Sequence, residues 1–92
     1  MPRYNGPAVV QWTYSGETRA GGVRCIAESH AGGWEGRLVD FPPGLRDAWL
    51  SVDAMTLRLP DEEAATIQPA RLSSDLITPH VLGFHGLGDP PF

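Results

Sequence analysis

The sequence predicts an all-β domain: a small antiparallel barrel or two-sheet sandwich of about six strands, with one short helical turn. Three observations carry that prediction. Short segments in which apolar and polar side chains alternate recur along the chain, and two-residue alternation is the period of a half-buried strand. Eleven glycines and nine prolines divide those segments without a repeat, as turns between many short elements do. No apolar pattern of helical period runs long enough to alternate with the strands, so a doubly wound sheet is not expected.

The first strand is Pro7 to Tyr14, "PAVVQWTY", with Val10, Trp12 and Tyr14 on one face and Val9, Gln11 and Thr13 on the other. "SGETRAGG" follows, and Gly16 and the Gly21-Gly22 pair read as turn signals. The second strand is Val23 to Ser29, in which Val23, Cys25 and Ala27 alternate with Arg24 and Glu28. "HAGG" turns the chain into the third strand, Trp34 to Phe41. There Trp34, Gly36 and Leu38 share one face, and Glu35, Arg37 and Val39 the other. A glycine inside a strand marks a bulge, a bend or a close backbone approach, so Gly36 is expected to let the sheet curl.

Pro42 and Pro43 end that strand. Leu45, Trp49 and Leu50 then have the spacing of one or two helical turns pinned to the core by Trp49. Met55 to Pro60 has the cleanest alternation: Met55, Leu57 and Leu59 in, Thr56 and Arg58 out. Asp61, Glu62 and Glu63 form an acidic turn. The fifth strand, Ala65 to Leu72, carries Pro69, which confines it to an edge or a bulge. "SSDLITP" connects it to the last strand, His80 to Leu87. "GDPPF" closes the sequence, with Phe92 as an anchor against the barrel rim or in a neighbour.

Ninety-two residues suit one domain, residues 1–92. The net charge of −4 and a pI of about 5.1 argue against a phosphate-backbone binder. No nucleic-acid partner is expected. All seven basic residues are arginine and are scattered along the sequence. With no lysine, a P-loop is excluded. Cys25 is alone, which excludes an internal disulfide and a four-cysteine zinc site and suits a reducing compartment. No secretory signal and no apolar run of membrane-spanning length is visible. A cytoplasmic location without membrane attachment is the expectation.

Catalytic motifs are absent from this reading. His80 and His85 lie five apart on an expected strand and so point to opposite faces. His30 sits in a turn. Cys25 lies among Val23, Ile26 and Ala27, where a thiol is a small buried hydrophobe. No G-x-S-x-G elbow is present, and no metal or cofactor is expected. Trp12, Trp34 and Trp49 are core candidates, since large rings fill a small barrel. Trp34 and Arg37 share one short strand, and an exposed tryptophan beside an arginine would suit a binding hot spot. The candidate ligand- or partner-binding residues are therefore Trp34, Arg37, His85 and Phe92.

Four motifs, "YNGPAVV", "WEGRL", "MTLRLP" and "GFHGLGDPPF", occur in this order over nearly the whole chain. Together they resemble a small actinobacterial domain of unknown function, found alone or appended to flavin-dependent monooxygenases. Members of that family carry a longer acidic and aromatic stretch before the tryptophan, where this chain has only "SHAGG". The resemblance implies a compact, bacterial, cytoplasmic β domain working beside an oxidoreductase, with any flavin held by the partner. The functional expectation is a non-catalytic domain for binding or protein interaction, with self-association as one form of it. The alternative is a small-ligand carrier or minor enzyme, whose aromatic-lined barrel pocket uses His85 or Arg37 as its polar group.

Overall fold

A computed structural model describes residues 3–60, 64–70 and 80–92 of the chain. Its elements are β1 (Arg3–Tyr14), β2 (Glu17–His30), β3 (Gly33–Val39), the helix α1 (Leu45–Trp49), β4 (Met55–Arg58), β5 (Ala65–Pro69) and β6 (Leu82–Leu87). The strands close into a barrel in the order β1-β2-β3-β6-β5-β4. Every neighbouring pair is antiparallel. Of the two expected architectures, this is the barrel. It consists of two three-stranded meanders, β1–β3 and β4–β6, sewn together along β1–β4 and β3–β6.

Alternation decides which side chains face the axis. Val10, Cys25, Leu38, Leu57, Ile67, Leu82 and Phe84 are buried to 1% exposure or less and occupy the interior. Their strand neighbours Gln11, Arg24, Arg37, Arg58, Gln68 and His85 point to solvent. Curling a sheet this tightly brings backbones together. A Cβ on Gly36 would overlap the carbonyl oxygen of Ile26 and lie 2.8 Å from the Ala27 Cα. The ladders on both sides of Gly36 run in unbroken register, so this glycine serves a close backbone approach and not a bulge.

The two ends of the barrel are closed differently. At the first, which we call the helix end, β3 finishes, β4 begins, and the crossover lays α1 over the opening. Leu45, Ala48 and Trp49 are buried there. The Trp49 indole Nε1 donates to the Gly83 carbonyl at 3.2 Å, and the Ala70 amide donates to that same oxygen at 2.9 Å. Helix, β6 and the end of β5 are thus tied at one atom. At the second, the strap end, β1 begins, β6 finishes, and Gly88–Phe92 folds back as a strap. The Phe92 ring lies 6.4 Å from Tyr4 and 5.9 Å from Trp34.

The sequence expectation needs correction at several points. Gly21 and Gly22 do not turn the chain but lie within β2, opposite Val10 and Val9. The reversal is a tight turn at Ser15 and Gly16, whose φ angles of 52° and 79° have the signs of a type I′ hairpin turn. At Gly21, a Cβ would come within 2.5 Å of the Pro42 ring, so this glycine makes room for the crossover. β1 starts at Arg3, four residues earlier than expected, because Tyr4 and Gly6 continue its inward alternation. β6 starts at Leu82, leaving His80 outside the strand. β3 stops at Val39, where Asp40 turns into the left-handed region with φ 53°. Leu50 is 51% exposed and packs nothing from α1 into the core. Residues 61–63, where an acidic turn was expected, and residues 71–79, where the fifth strand was expected to end, lie outside the described residues.

Candidate functional site

β1 and β2 are the longest strands and outrun the barrel. β2 pairs with β3 only from Arg24 onward, and β1 pairs with β4 only over Val9 to Gln11. The hairpin therefore continues past the barrel wall as an arm, in which Thr13 to Ala20 are all exposed. Within it Trp12 pairs with Arg19, Thr13 with Thr18 and Tyr14 with Glu17. The Thr13 and Thr18 hydroxyls lie 3.1 Å apart on one face, and Arg19 Nη2 donates to Glu17 Oε2 at 2.9 Å on the other. Tyr14, 41% exposed, sits beside that ion pair. Among the described residues no strand pairs with the outer edge of β2 from Glu17 to Val23. In a two-residue hairpin the residues flanking the turn exchange hydrogen bonds, and the next pair does not. The amides of Thr18 and Ala20 consequently face outward along that free edge.

Of the four residues singled out from the sequence, two meet inside the molecule and two lie outside it. Trp34 and Phe92 come together at the strap end, ring edge to ring face at 83°. Trp34 is only 2% exposed, with Phe84 packed against it at 5.7 Å. A surface hot spot at Trp34 is thereby corrected: even-numbered positions of β3 face the axis, and the strap covers this one. Its ring rests on Gly86, where a Cβ would overlap the indole. Its Nε1 is buried without a hydrogen-bond partner. A buried donor left unsatisfied costs roughly 1–3 kcal/mol, which sets this atom apart from the other buried side-chain polar atoms of the described residues.

Arg37 and His85 both point outward, so neither can serve as the polar group of an interior pocket. Arg37 lines an open groove of about 510 Å³ with Arg3, Asn5, Ile26 and Val81. His85 faces Glu35 across the β3–β6 ladder, with Nδ1 3.8 Å from Oε2. His30 Nε2 lies 3.4 Å from the other oxygen of that carboxylate. All three side chains are largely solvated, and such pairs contribute little to stability. Among the described residues no cluster of three histidine, cysteine or acidic side chains is placed to hold a metal ion.

Cys25 is fully buried, and burial pushes its thiol up to about 12. Nucleophilic chemistry requires the thiolate, so this sulfur is a packing atom. Burial, and after it the proximity of Cys25, also raises the Tyr4 phenol, whose hydroxyl donates to the Pro7 carbonyl. Sequence reasoning had no means of finding the Glu35–His85 pairing, which depends on a register between distant strands. The arm was legible in part: "SG" at positions 15 and 16 is a sufficient hairpin turn. No helix among the described residues is long and apolar enough to cross a membrane. Compared with protein-family models, curated proteins and solved structures, the chain matches none.

Proposed function

We propose that this protein is a non-catalytic interaction module whose β1–β2 arm docks by strand addition, with a second copy of the same chain as its partner. The observation that carries the reading is the projecting arm with its free edge, Glu17 to Val23. A closed barrel hides its edges, and among the described residues this hairpin runs on past the wall with the edge of β2 unpaired. Eight exposed residues gain order there without burying a core of their own, at a backbone cost of roughly 1–2 kcal/mol each. A partner along the edge would offset that cost with main-chain hydrogen bonds.

The free edge suits self-pairing. Two copies of β2 laid antiparallel about a two-fold axis through Ala20 align the whole edge, Glu17 of each opposite Val23 of the other and Thr18 opposite Gly22, so that the outward amides meet the other copy and no like charges face each other. The same edge would serve a different protein, and the family resemblance makes an oxidoreductase the first to try. The carrier alternative has less support, since side chains occupy the barrel axis and both polar groups it needed face solvent.

Sedimentation velocity over rising protein concentration tests the proposal. The wild type is expected to pass from monomer to dimer. Ala20→Pro removes an outward amide while leaving the hairpin ladder whole, and is expected to stay monomeric with an unchanged far-ultraviolet spectrum. A wild type that stays monomeric throughout, or an Ala20→Pro variant that dimerises equally well, would overturn self-association through the arm.

A further inference from the structure

The strap end carries a second kind of site. Trp34 Nε1 is a buried hydrogen-bond donor without a partner, and the group that covers the indole is weakly held. Phe92 is only partly buried and touches the barrel through the rings of Tyr4 and Trp34. Among the described residues no hydrogen bond ties Gly88–Phe92 to the strands. Phe92 is also one wall of an open cleft of about 690 Å³, shared with Ala65, Thr66, Leu87, Asp89 and Pro90. That volume lies within the range of small-molecule sites. The phenyl ring therefore touches both the cleft and the indole.

We propose that the strap end binds a neutral, planar aromatic molecule carrying both a carbonyl acceptor and an N–H or O–H donor, an aromatic amide being the simplest form. Phe92 holds the place of the ligand's ring when the site is empty. When the Phe92 side chain turns aside and the strap backbone stays in place, the cleft reaches Trp34. The ligand's ring then takes the edge-to-face position that Phe92 occupies, a favoured geometry for aromatic pairs. Its carbonyl oxygen accepts from Trp34 Nε1, the one bond this indole lacks. The carboxylate of Asp89 on the cleft wall accepts from the ligand's donor and repels an anion, which selects an amide over a carboxylate. Gly86 keeps the bed beneath the indole flat, fixing the direction of its N–H. The site is independent of the arm, and its proof or failure leaves the self-association proposal untouched.

Benzamide is the probe, and the indole N–H signals of the ¹⁵N-labelled protein are the readout. Benzamide is expected to move the Trp34 signal downfield saturably, while Trp49, already bonded to Gly83, stays in place. Phe92→Ala removes the competing ring and is expected to tighten binding by roughly tenfold, as the competent state becomes the populated one. Toluene, which has no acceptor, and benzoate, which is an anion, are expected to leave the signal nearly unmoved. An unmoved Trp34 signal with benzamide, or equal shifts with toluene, would overturn the proposal. The wild-type titration decides the matter alone if Phe92→Ala does not fold.

Discussion

The two ends of this barrel solve one problem with unequal means. Each must keep water from an apolar interior, and each uses a tryptophan. At the helix end Trp49 is fully buried, its indole hydrogen-bonded to Gly83, and a carbonyl shared with Ala70 locks three elements together. At the strap end Trp34 has rings around it but no partner for its Nε1, and the cover is a segment anchored by one partly exposed phenylalanine. The crossover joins β3 to β4 and is hydrogen-bonded to β6 through Trp49. Among the described residues only ring contacts hold Phe92 against the barrel, so its ring is the easier cover to displace.

Truncation at each end gives the widest contrast. Trp49→Ala is expected to cost about 3–5 kcal/mol, the range for removing a large buried aromatic, measured by urea unfolding. Trp34→Ala is expected to cost about 2 kcal/mol less, because the strap can collapse into part of the space. Equal losses would erase the distinction between the ends.

The next effect lies midway between them. Cys25 holds its proton to about 12 when folded, against 9.0 for an ordinary thiol. Between those values the unfolded chain releases a proton that the folded chain keeps. Stability is therefore whole below the lower value and falls as pH rises toward the upper one, by up to about 1.4 kcal/mol per pH unit. Thermal melts in an alkaline series should show this slope, and Cys25→Ala should lessen it, leaving the share that the raised Tyr4 phenol adds with the same sign. A slope unchanged in the variant would place the alkaline sensitivity elsewhere.

A finer test trades each indole for a ring of similar character. Trp49→Phe loses a hydrogen bond and leaves a gap, for an expected cost of about 1–3 kcal/mol. Trp34→Phe leaves a gap too but removes the unsatisfied donor, so the two terms offset and the net change is expected within about 1 kcal/mol of zero. The smallest effect belongs to Leu50, which the helical spacing would place inward and the structure leaves outside. Leu50→Gln is expected to change stability by less than about 0.5 kcal/mol, and a larger loss in the same melts would return it to the core.

Much of the fold could be read because the relevant physics is local. Alternation placed Leu57, Leu59 and Leu38 inside and Arg37 and Arg58 outside, and the structure agrees. The spacing of Leu45 and Trp49 found α1. What escaped reading depends on distant partners. Gly21-Gly22 has the composition of a turn, but Pro42 needs the space at Gly21 and β1 needs the pairing, so tertiary packing overrode the local signal. "RYNG" precedes the strand expected from Pro7, yet Tyr4 folds its ring over Gly6, with the hydroxyl oxygen 3.0 Å from where a Cβ would stand. Of the site, Trp34 and Phe92 were each singled out, but that their rings meet depends on the path of the strap. The missing acceptor at Trp34 could not be read either, since an unmet hydrogen bond leaves no mark in a sequence.

The barrel's closure has one further consequence. β1 is zipped to β2 along its whole length, Arg3 to Tyr14, but joins β4 only from Val9 to Gln11. The first stitch forms between chain neighbours, and the second links segments that lie almost fifty positions apart. Assembly should accordingly begin as an early β1–β2 ribbon and finish late at a short seam. Reversed, that order makes the seam the place where the wall first parts, so native-state amide exchange should be quicker in β4 than at the ladder-bonded amides where β1 and β2 form the wall beside it.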